Sequence, residues 1–343
     1  MVSFGTIICT YNRQSILEKA LAHWQSSIDA SDQFLVVDAS PNAESSRQKM
    51  LDRFPQLFKG SGSDYIVSNQ PGLTRQRNLG LKYLTTDITC FVDDDTFITP
   101  TYVDRIRQIF QADTQKMIGG VNGVAKGQFD NWQQRYTRLG RNYLRHQFGN
   151  WLGQRIHIPH HSTQRHQPLP PELNHFPLIH IDRLWGANMN YRTELIQSQG
   201  FDENFQRYGL YEDVEMSARV GKTHKLVCCL DAEIEHDETL GQSTRPNDAR
   251  YFLASWANSA YIIEKLFPCP ESRLAHRRYF DVFQLVSKLA PRPVADRKFR
   301  SLGNSQLLSQ AQDYIHQIQQ CQTPETLSDT FVQIQLQILS YSA

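Results

Sequence analysis

The stretch DITCFVDDDT, from Asp87 to Thr96, joins an apolar run to three consecutive acidic residues. The apolar part predicts a buried strand, and Asp93, Asp94 and Asp95 follow where that strand ends. Adjacent carboxylates repel each other, most strongly near a low-dielectric core, so a compensating charge is needed. A divalent cation would supply it, because hard cations prefer oxygen ligands. The alternative is a polar turn that happens to be acidic.

Strands and helices alternate on both sides of this stretch. The predicted strands are FGTIICT (4–10), DQFLVVDAS (32–40), SDYIVSN (63–69), DITCFVDDDT (87–96) and KMIGGVNGVA (116–125). Helical spacing is found from Ile16 to Trp24, in LTRQRNLGLKYL (73–84) and in PTYVDRIRQIF (100–110), where Thr99 is the predicted cap. This alternation predicts a doubly wound, mostly parallel α/β sheet.

The pattern changes after about residue 128. No clear strand is predicted before FPLIHI (176–181), and the α/β pattern then resumes with RLWGANMNYRTEL (183–195) and KLVCCLDAEIEHD (225–237). From about Asp248 onward the chain is mainly helical in pattern. We therefore predict an α/β domain at 1–245, with a variable insertion at 128–180, and a mainly helical extension at 246–343.

Composition narrows the class of protein. The chain has 343 residues, 40% hydrophobic content and a net charge of +1, which fits a globular protein without a general electrostatic attraction to nucleic acid. Its six cysteines form no CxxC pair, so a reduced, cytoplasmic setting is predicted. The N-terminus has no signal-peptide pattern, and no apolar run approaches about 18 residues, the length of a membrane-spanning helix.

Polar residues follow the predicted ends of four strands. Tyr11, Asn12 and Arg13 follow the first strand, Asp38 closes the second, Asn69 follows the third, and the three aspartates close the fourth. In a doubly wound sheet, ligands bind beyond the carboxyl ends of the strands. These side chains are therefore predicted to meet in one polar crevice.

The chain resembles the inverting family 2 glycosyltransferases of the GT-A fold. The matching motifs, in order, are CTYNR (9–13), VVDAS (36–40), NQPGLTRQRNLGL (69–81), FVDDDT (91–96), WGANMNYRTEL (185–195), FDENFQRYGLYEDVEMSARV (201–220) and EHDE (235–238). They extend over about residues 4 to 240. Each motif alone is weak, and it is their order and approximate spacing that carry the resemblance.

The resemblance implies that the protein binds a nucleotide-diphosphate sugar as donor. Asp38 would contact the base or ribose, Asp93 the ribose or donor sugar, and Arg75 the diphosphate through charge-assisted hydrogen bonds. The full implied donor set is Thr10, Tyr11, Asn12, Arg13, Asp38, Asn69, Arg75, Asp93 and Asp94. Two alternatives stay open: Asp38 is a turn residue ahead of Pro41, and Arg75 lies on a solvated helix face.

The segment GLYEDVEMSAR resembles the family's acidic motif and starts a predicted amphipathic helix. The resemblance implies that Asp213 is the general base of an inverting transfer, taking the acceptor's proton as its oxygen attacks the anomeric carbon. Glu212 is the competing candidate, and a helix-dipole role in the first turn is the structural alternative. Trp185 and Gly186 of WGANMNYR would line the donor sugar and the acceptor, together with Glu212. The alternative for Trp185 and Gly186 is a packed core turn.

The same resemblance implies a metal site. Asp95 would ligate the ion, and His236 of the EHDE motif would be a second ligand, with diphosphate oxygens and water completing the set. A mixed nitrogen and oxygen set suits Mn²⁺ or Mg²⁺, and the imidazole favours Mn²⁺. The alternative for His236 is a hydrogen-bonded structural histidine.

The resemblance does not identify the acceptor, because it stops short of two distinctive regions. Residues 131–171, which lie within the predicted insertion, contain six arginines and no acidic residue. The segment RLAHRRYFDVFQLVSKLA (273–290) predicts an amphipathic helix with a basic start. We predict that these regions contact a glycan or lipid-linked glycan acceptor, or the inner face of a membrane. The alternative is that the arginines pair with carboxylates of other segments.

Two other functions are alternatives to sugar transfer. A nucleotidyltransferase uses a similar sheet and metal carboxylates but normally needs a glycine-rich basic loop after the first strand, and CTYNRQS (9–15) contains no glycine. A non-catalytic, sugar-binding member of the same fold would be expected to lack the base or the aspartate run, and both are present. Sugar transfer is therefore the function that the sequence favours.

Overall fold

The structure is a computed structural model that describes residues 2–29, 32–126, 168–236, 248–289 and 305–341. The chain divides into two compact units, one from 1–128 and 161–244 and the other from 129–160 and 245–343. Most of the predicted insertion at 128–180, with its arginines, lies outside the described residues.

The first unit is built on a nine-stranded sheet. The strands are β1 (Phe4–Thr10), β2 (Gln33–Asp38), β3 (Asp64–Val67), β4 (Ile88–Asp93), β5 (Thr96–Ile98), β6 (Ile118–Ala125), β7 (Leu178–His180), β8 (Asn188–Arg192) and β9 (Lys225–His236). β3, β2, β1 and β4 are neighbours in that order and are all parallel. Every residue of β1 and β2 is buried, as expected for strands covered on both faces.

The other half of the sheet contains the strands that run in the opposite direction. β8 lies between β4 and β6 and is antiparallel to both. β9 is parallel to β6, whereas β5 and β7 pair with β9 in antiparallel fashion. Six of the nine strands thus share one direction, and the predicted mostly parallel α/β sheet is confirmed.

Helices pack on the two faces of the sheet. The described helices of the first unit are α1 (Gln14–Trp24), α2 (Ala43–Arg53), α3 (Leu73–Leu81), α4 (Tyr102–Ala112), α5 (Thr193–Ile196) and α6 (Glu212–Gly221). Phe4 and Ile8 of β1 belong to a core shared with α1, α2 and α4. Ile7 and Cys9 belong to a second core shared with α3, α5 and α6. This division follows from the alternation of side chains along a strand.

The acidic run forms a turn between two strands. The fourth predicted strand, drawn to Thr96, ends at Asp93, and the chain turns at Asp94 and Asp95 before β5 begins. Thr96 then pairs with His236, the last residue of β9. The polar-turn alternative is thus correct about the local backbone, and the turn also delivers the aspartates to the end of β9.

The start of α4 differs from its prediction by two residues. The predicted cap was Thr99, with Pro100 in the first turn, but the helix begins at Tyr102 after Thr101. The reason is that Thr99 is still bound to the sheet. Its N–H and its hydroxyl both donate to the Glu233 carbonyl of β9, at 3.2 and 2.9 Å, and these bonds hold the backbone of Thr99 beside the sheet.

The second unit consists of helices and short connections in its described residues. Its helices are α7 (Asp248–Leu266), α8 (Pro270–Leu289), α9 (Ser305–Gln319) and α10 (Pro324–Ser340). Tyr261 and Phe331 stack with ring centroids 3.9 Å apart, and Trp256 packs edge-on against Phe280 at 4.7 Å. The predicted helical character is confirmed for these ranges. Among the described residues, no helix combines the length and apolar character needed to cross a membrane.

Candidate active site

The carboxyl ends of the parallel strands meet at the start of β8. In the sheet register Thr10 pairs with Asp38, and Cys9 pairs with Asp93. The Asp93 N–H donates to the carbonyl of Ala187, 3.3 Å away and just before β8. Side chains from distant parts of the chain are therefore collected at one edge of the sheet, where ligands of doubly wound folds bind.

Arg13 binds two of the three consecutive aspartates. Its Nη1 lies 2.5 Å from Asp94 Oδ1, and its Nη2 lies 2.7 Å from Asp95 Oδ2. The Thr10 hydroxyl donates to the other Asp94 oxygen at 2.7 Å. Burial raises the pKa of Asp94 to about 7, against the opposing charge of Arg13. Asp94 is thus held inside the protein, and a guanidinium supplies part of the charge compensation that the aspartates need.

Arg77 binds the remaining aspartate, and it was not predicted as a site residue. Its side chain is 2% exposed, and its Nη2 donates to Asp93 Oδ1 and to the Gly186 carbonyl, each at 3.1 Å. Its Nη1 donates to Glu212 Oε1 at 2.5 Å. Burial lowers the pKa of Arg77, but the charges of Glu212 and Asp93 outweigh burial and raise it overall. One buried guanidinium therefore joins β4, the turn before β8 and the start of α6.

The sequence does carry a signal for Arg77. It stands four residues after Leu73 and four before Leu81, on the face of α3 that turns toward the core. A charged residue at such a position indicates a buried partner of opposite charge. Arg75, the arginine predicted to bind the diphosphate, lies off this face, with its side chain 40% exposed and its Nε 3.6 Å from Glu203.

Asp93, Asp95 and His236 form a group that can hold a metal ion. Each offers one ligand atom, and these atoms lie within 4.8 Å of one another. Burial would raise the pKa of Asp95, but contacts with His236 and Arg13 outweigh burial and lower it, which favours the anionic form that binds cations. Two carboxylate oxygens and an imidazole nitrogen fit Mn²⁺ or Mg²⁺, and the nitrogen favours Mn²⁺.

Asp213 lies in the first turn of α6, directly after a sharp change of backbone direction. The preceding Tyr211 has a φ of 73°, a left-handed conformation that is uncommon for residues with a side chain. The Asp213 carboxylate accepts the Gly186 N–H at 3.2 Å and the Val214 N–H at 2.8 Å. Asp213 is partly exposed, so its carboxylate is fixed by backbone groups and still reachable.

Glu212 differs from Asp213 in its surroundings. Glu212 is buried, and its carboxylate accepts the hydrogen bond from Arg77. Burial raises the pKa of Glu212, and the charge of Arg77 opposes that rise. An oxygen already engaged by a buried guanidinium is poorly placed to take a proton from an incoming molecule. Of the two candidates for the base, Asp213 is the accessible one.

Trp185 and Gly186 lie between the metal-binding group and Asp213. The Trp185 ring is edge-on to the ring of His236, with centroids 4.9 Å apart. Gly186 bonds in both directions, to Arg77 through its carbonyl and to Asp213 through its N–H. A Cβ added to Gly186 would lie 3.4 Å from Glu212 Oε1 and 3.6 Å from Asp213, so the turn packs closely against both acids.

Asp38, which is predicted to contact the base or ribose of the donor, is buried and already hydrogen-bonded within the protein. It is fully buried, and one carboxylate oxygen accepts both the N–H and the hydroxyl of Ser40. The other oxygen accepts the Tyr65 hydroxyl at 2.6 Å. Burial and this bond raise the pKa of Tyr65. A direct contact between Asp38 and a base or ribose would require one of these bonds to open.

The remaining predicted donor residues lie on the surface. Tyr11 is exposed directly after β1, and Asn12 beside it has a φ of 56° and donates its N–H to Ser40 Oγ at 2.7 Å. Asn69 is exposed after β3. Asn12 is linked through Ser40 to Asp38, and Arg75 lies near Glu203, outside the acidic turn. The donor-binding roles of all these residues stay predictions.

Comparison with known families identifies the N-terminal half. Residues 6–169 match the family described as Glycosyl transferase family 2. The chain carries a family 2 glycosyltransferase domain. This match decides between the enzyme classes considered from the sequence in favour of glycosyl transfer. No curated protein sequence matches the chain.

Solved structures agree with this family 2 glycosyltransferase on the fold. The mannosyltransferase PcManGT from Pyrobaculum calidifontis, in complex with GDP-Man and Mn²⁺, is similar with a TM-score of 0.52 and 12% identity, over 98% of this chain and 87% of that one. S. aureus TarS 1–349 is similar with a TM-score of 0.50 and 12% identity, over 97% and 90%. Identities this low show the fold alone, and the fold is GT-A.

The matched family segment contains only part of the candidate site of this glycosyltransferase. Arg13, Arg77 and the acidic turn lie within residues 6–169. Gly186, Asp213 and the other partners on β9 and α6 lie beyond it. The site is therefore completed by the later part of the chain.

Proposed function

We propose that this glycosyltransferase transfers a sugar from a nucleotide-diphosphate donor to a hydroxyl group of a glycan or lipid-linked glycan, with inversion at the anomeric carbon. The observation that carries the proposal is the position of two acidic groups on either side of Arg77. One is the cluster of Asp93, Asp95 and His236, and the other is the partly exposed carboxylate of Asp213. Inverting transfer needs both, one for the leaving group and one for the attacking hydroxyl.

The first cluster is proposed to bind the diphosphate end of the donor. Asp93, Asp95 and His236 would hold Mn²⁺ or Mg²⁺. The PcManGT complex contains Mn²⁺, which supports Mn²⁺ as the ion. A cation bound there stabilises the negative charge of the departing diphosphate, which then needs no general acid. Arg13, which spans Asp94 and Asp95, keeps the acidic turn in one conformation.

Asp213 is proposed to act as the general base. As the acceptor oxygen bonds to the anomeric carbon, the carbon–oxygen bond to the diphosphate breaks on the opposite face, and Asp213 takes the hydroxyl proton. The Gly186 and Val214 N–H groups aim its carboxylate, and neither requires it to lose its charge. Glu212 is engaged by Arg77, which supports its role as a structural neighbour of the base.

Trp185 is proposed to bind the sugar between these two groups. Its ring lies beside His236, and the next residue, Gly186, contacts Asp213. Aromatic rings bind the apolar face of a sugar, and a glycine allows a ligand to approach its backbone closely. This arrangement supports the predicted role of Trp185 and Gly186 along the donor sugar and acceptor.

Product analysis tests the proposal. Purified protein with Mn²⁺ is screened against nucleotide sugars, beginning with GDP-mannose because of the PcManGT complex, and a bound donor raises the unfolding midpoint by mass action. Transfer from a labelled donor is then followed, and NMR reads the anomeric configuration of the product. We expect the configuration opposite to that of the donor. Retention of configuration would overturn the inverting mechanism.

The acceptor and the cellular location are proposed from the sequence alone. Residues 131–171, rich in arginine and free of acidic residues, favour an acceptor that carries phosphate, such as a lipid-linked glycan at the inner face of a membrane. Flotation with anionic liposomes tests this idea. We expect salt-sensitive binding that is lost when Arg135, Arg138, Arg141 and Arg145 are changed to glutamate. Absence of flotation, with unchanged activity of that variant on a lipid-linked acceptor, would contradict it.

A further inference from the structure

Arg77 connects the two acidic groups of the proposed mechanism, since it contacts Asp93 directly and contacts both Gly186 and Glu212, the neighbours of Asp213. One arm of its guanidinium binds Asp93 and the Gly186 carbonyl, and the other arm binds Glu212. Asp93 closes β4, Gly186 precedes β8, and Glu212 begins α6. Three elements that are distant in sequence are therefore fixed to one rigid, planar group.

The contacts continue from Arg77 to Asp213 through a single residue. The Gly186 carbonyl accepts from Arg77, and the Gly186 N–H donates to Asp213 Oδ2 at 3.2 Å. A second connection runs through Glu212, which precedes Asp213 in the chain and binds Arg77 directly. A shift of the guanidinium would move the Asp213 carboxylate by both routes.

The guanidinium itself has little freedom to move. It is packed near the rings of Phe91 and Phe201, whose centroids lie 5.8 and 5.2 Å from its central carbon. The adjacent residue, Gln76, donates to the carbonyls of Thr10 and Val37, both at 2.9 Å, and so fixes α3 to β1 and β2. The group that connects the acids is thus anchored to the centre of the sheet.

We propose that Arg77 is a positioning residue that sets the distance and orientation between Asp93 on the donor side and Asp213 on the acceptor side. This inference rests on the proposed function, because it assumes that Asp213 is the base. Displacement of a reacting group by about 1 Å can reduce turnover on the order of 10²-fold. Lysine is not expected to replace Arg77, because its donors sit on one nitrogen, whereas Arg77 binds Glu212 through one nitrogen and Asp93 and Gly186 through another.

The main test compares Arg77→Lys with Arg107→Lys. Arg107 is a matched control on α4, since it also binds a carboxylate, a backbone carbonyl and an aromatic ring, namely those of Asp32, Val2 and Phe4. We expect Arg77→Lys to lower kcat about 10²-fold, with a much smaller change in the Kd of GDP or UDP with Mn²⁺. Arg107→Lys is expected to lower the unfolding midpoint without lowering kcat of the folded enzyme. Equal kcat in the two folded variants would overturn the proposal.

A double-mutant cycle separates positioning from general structural damage. If Arg77 acts through Asp213, Arg77→Lys should cost little further turnover in an Asp213→Asn background, because residues that act as a unit are not additive. Full additivity of the two losses would contradict the inference. Wild-type turnover by Asp213→Asn alone would instead refute the proposed base, which is a distinguishable failure.

A second variant covers the case in which Arg77→Lys does not fold. Arg77→Gln combined with Glu212→Gln removes the guanidinium together with its buried carboxylate partner, and it leaves only Asp93, whose side chain is 34% exposed and can be solvated. We expect this double variant to fold, to bind GDP or UDP with Mn²⁺, and to show the same loss of kcat. A folded double variant with wild-type kcat would overturn the positioning role.

Discussion

Two buried arginines at opposite edges of the same sheet are held in nearly the same way. At the amino edge, Arg107 binds both oxygens of Asp32 at 3.0 and 2.7 Å, the Val2 carbonyl at 3.1 Å and the face of Phe4 at 5.6 Å. At the carboxyl edge, Arg77 also binds carboxylates, a backbone carbonyl and aromatic rings. The chemistry of each contact therefore does not distinguish the two regions.

The two edges of the sheet differ in the number of carboxyl groups around each arginine and in the exposure of those carboxyl groups to solvent. Arg107 and Asp32 form a pair in which both side chains are nearly fully buried, and the exposed carboxylate of Asp29 lies 3.3 Å from the same guanidinium. At the carboxyl edge two guanidinium groups, of Arg13 and Arg77, face five carboxyl groups, those of Asp93, Asp94, Asp95, Glu212 and Asp213. The Asp93 side chain is 34% exposed. The two partly exposed carboxyl groups, those of Asp93 and Asp213, are suited to bind cations and take protons, whereas a buried ion pair contributes to stability.

The largest expected effect at the carboxyl edge comes from Asp95→Ala. We expect turnover to fall by more than about 10³-fold, because the metal's stabilisation of the leaving group is worth several kcal/mol. The fold should persist, since Arg13 keeps its bond to Asp94. Calorimetric binding of GDP and UDP with and without Mn²⁺ measures the effect. If the variant binds a nucleoside diphosphate with Mn²⁺ as tightly as wild type, Asp95 is not a metal ligand.

The next largest effect is expected from Asp213→Asn. The amide can still accept the Gly186 N–H but cannot take a proton, so donor binding should be kept while turnover falls about 10²-fold or more. Steady-state kinetics and donor binding by thermal shift measure the two separately. A variant that retains more than about a tenth of wild-type turnover would exclude Asp213 as the base.

At the amino edge we expect Arg107→Met to lower the stability of the fold without lowering turnover. This change leaves the buried carboxylate of Asp32 without its main counter-charge, which typically costs about 3–5 kcal/mol in the free energy of unfolding. Urea unfolding measures that loss, and kcat is measured at a temperature where the variant is folded. We expect kcat to be unchanged.

The matched control for this change is Arg107→Met combined with Asp32→Asn. It removes both charges and should recover much of the lost stability. A fall in kcat of the folded Arg107→Met variant would show that the two edges are not separable, and the comparison would then fail.

The smallest expected effect concerns a buried ionisable group outside the sheet. His276 of the second unit is fully buried, with Nε2 2.8 Å from Ser259 Oγ, and burial lowers its pKa to about 4. The unfolded chain, with an ordinary histidine pKa of about 6.5, binds more protons than the folded one between these values. Stability is therefore fully present above about pH 6.5 and is lost as pH falls, by up to about 1.4 kcal/mol per unit.

Urea unfolding of wild type and His276→Gln at pH 7 and pH 5 checks this expectation. Glutamine is neutral at both pH values and can keep a bond to Ser259, so the variant should lose less stability on acidification. Trp256, whose ring lies 5.8 Å from His276, contributes a local fluorescence signal. Identical pH dependence in the two proteins would show that His276 does not control it.

The sequence predicted those features of the fold that depend on residues close together in the chain. The central strands could be predicted because β1 and β2 are buried at every residue and so read as continuous apolar runs. The acidic turn and the ends of β1 and β2 followed from those strands. Asp213 and His236 were identified through the family resemblance, and their roles stay predictions.

The features that the sequence did not predict share a physical cause. Each depends on contacts between segments that are distant in the chain. Arg77 was passed over because its carboxylate partners lie on β4 and α6, which the helical pattern of α3 does not reveal. Thr99 was taken as a cap because its bonds to Glu233 on β9 are not visible in the local sequence. The enclosure of Asp38 depends likewise on Tyr65, a residue of the neighbouring strand.

The position of β8 has a consequence for how the protein is made. β8 lies between β4 and β6 in the sheet but follows both in the chain. At about 5–20 residues per second, the ribosome adds it on the order of ten seconds after β4. During that interval the apolar edge of β4 has no permanent neighbour, and such edges pair with other chains. Premature termination near residue 169 would leave that edge open, so truncated chains should aggregate, and only chains extended through β9 can assemble Asp95 beside His236.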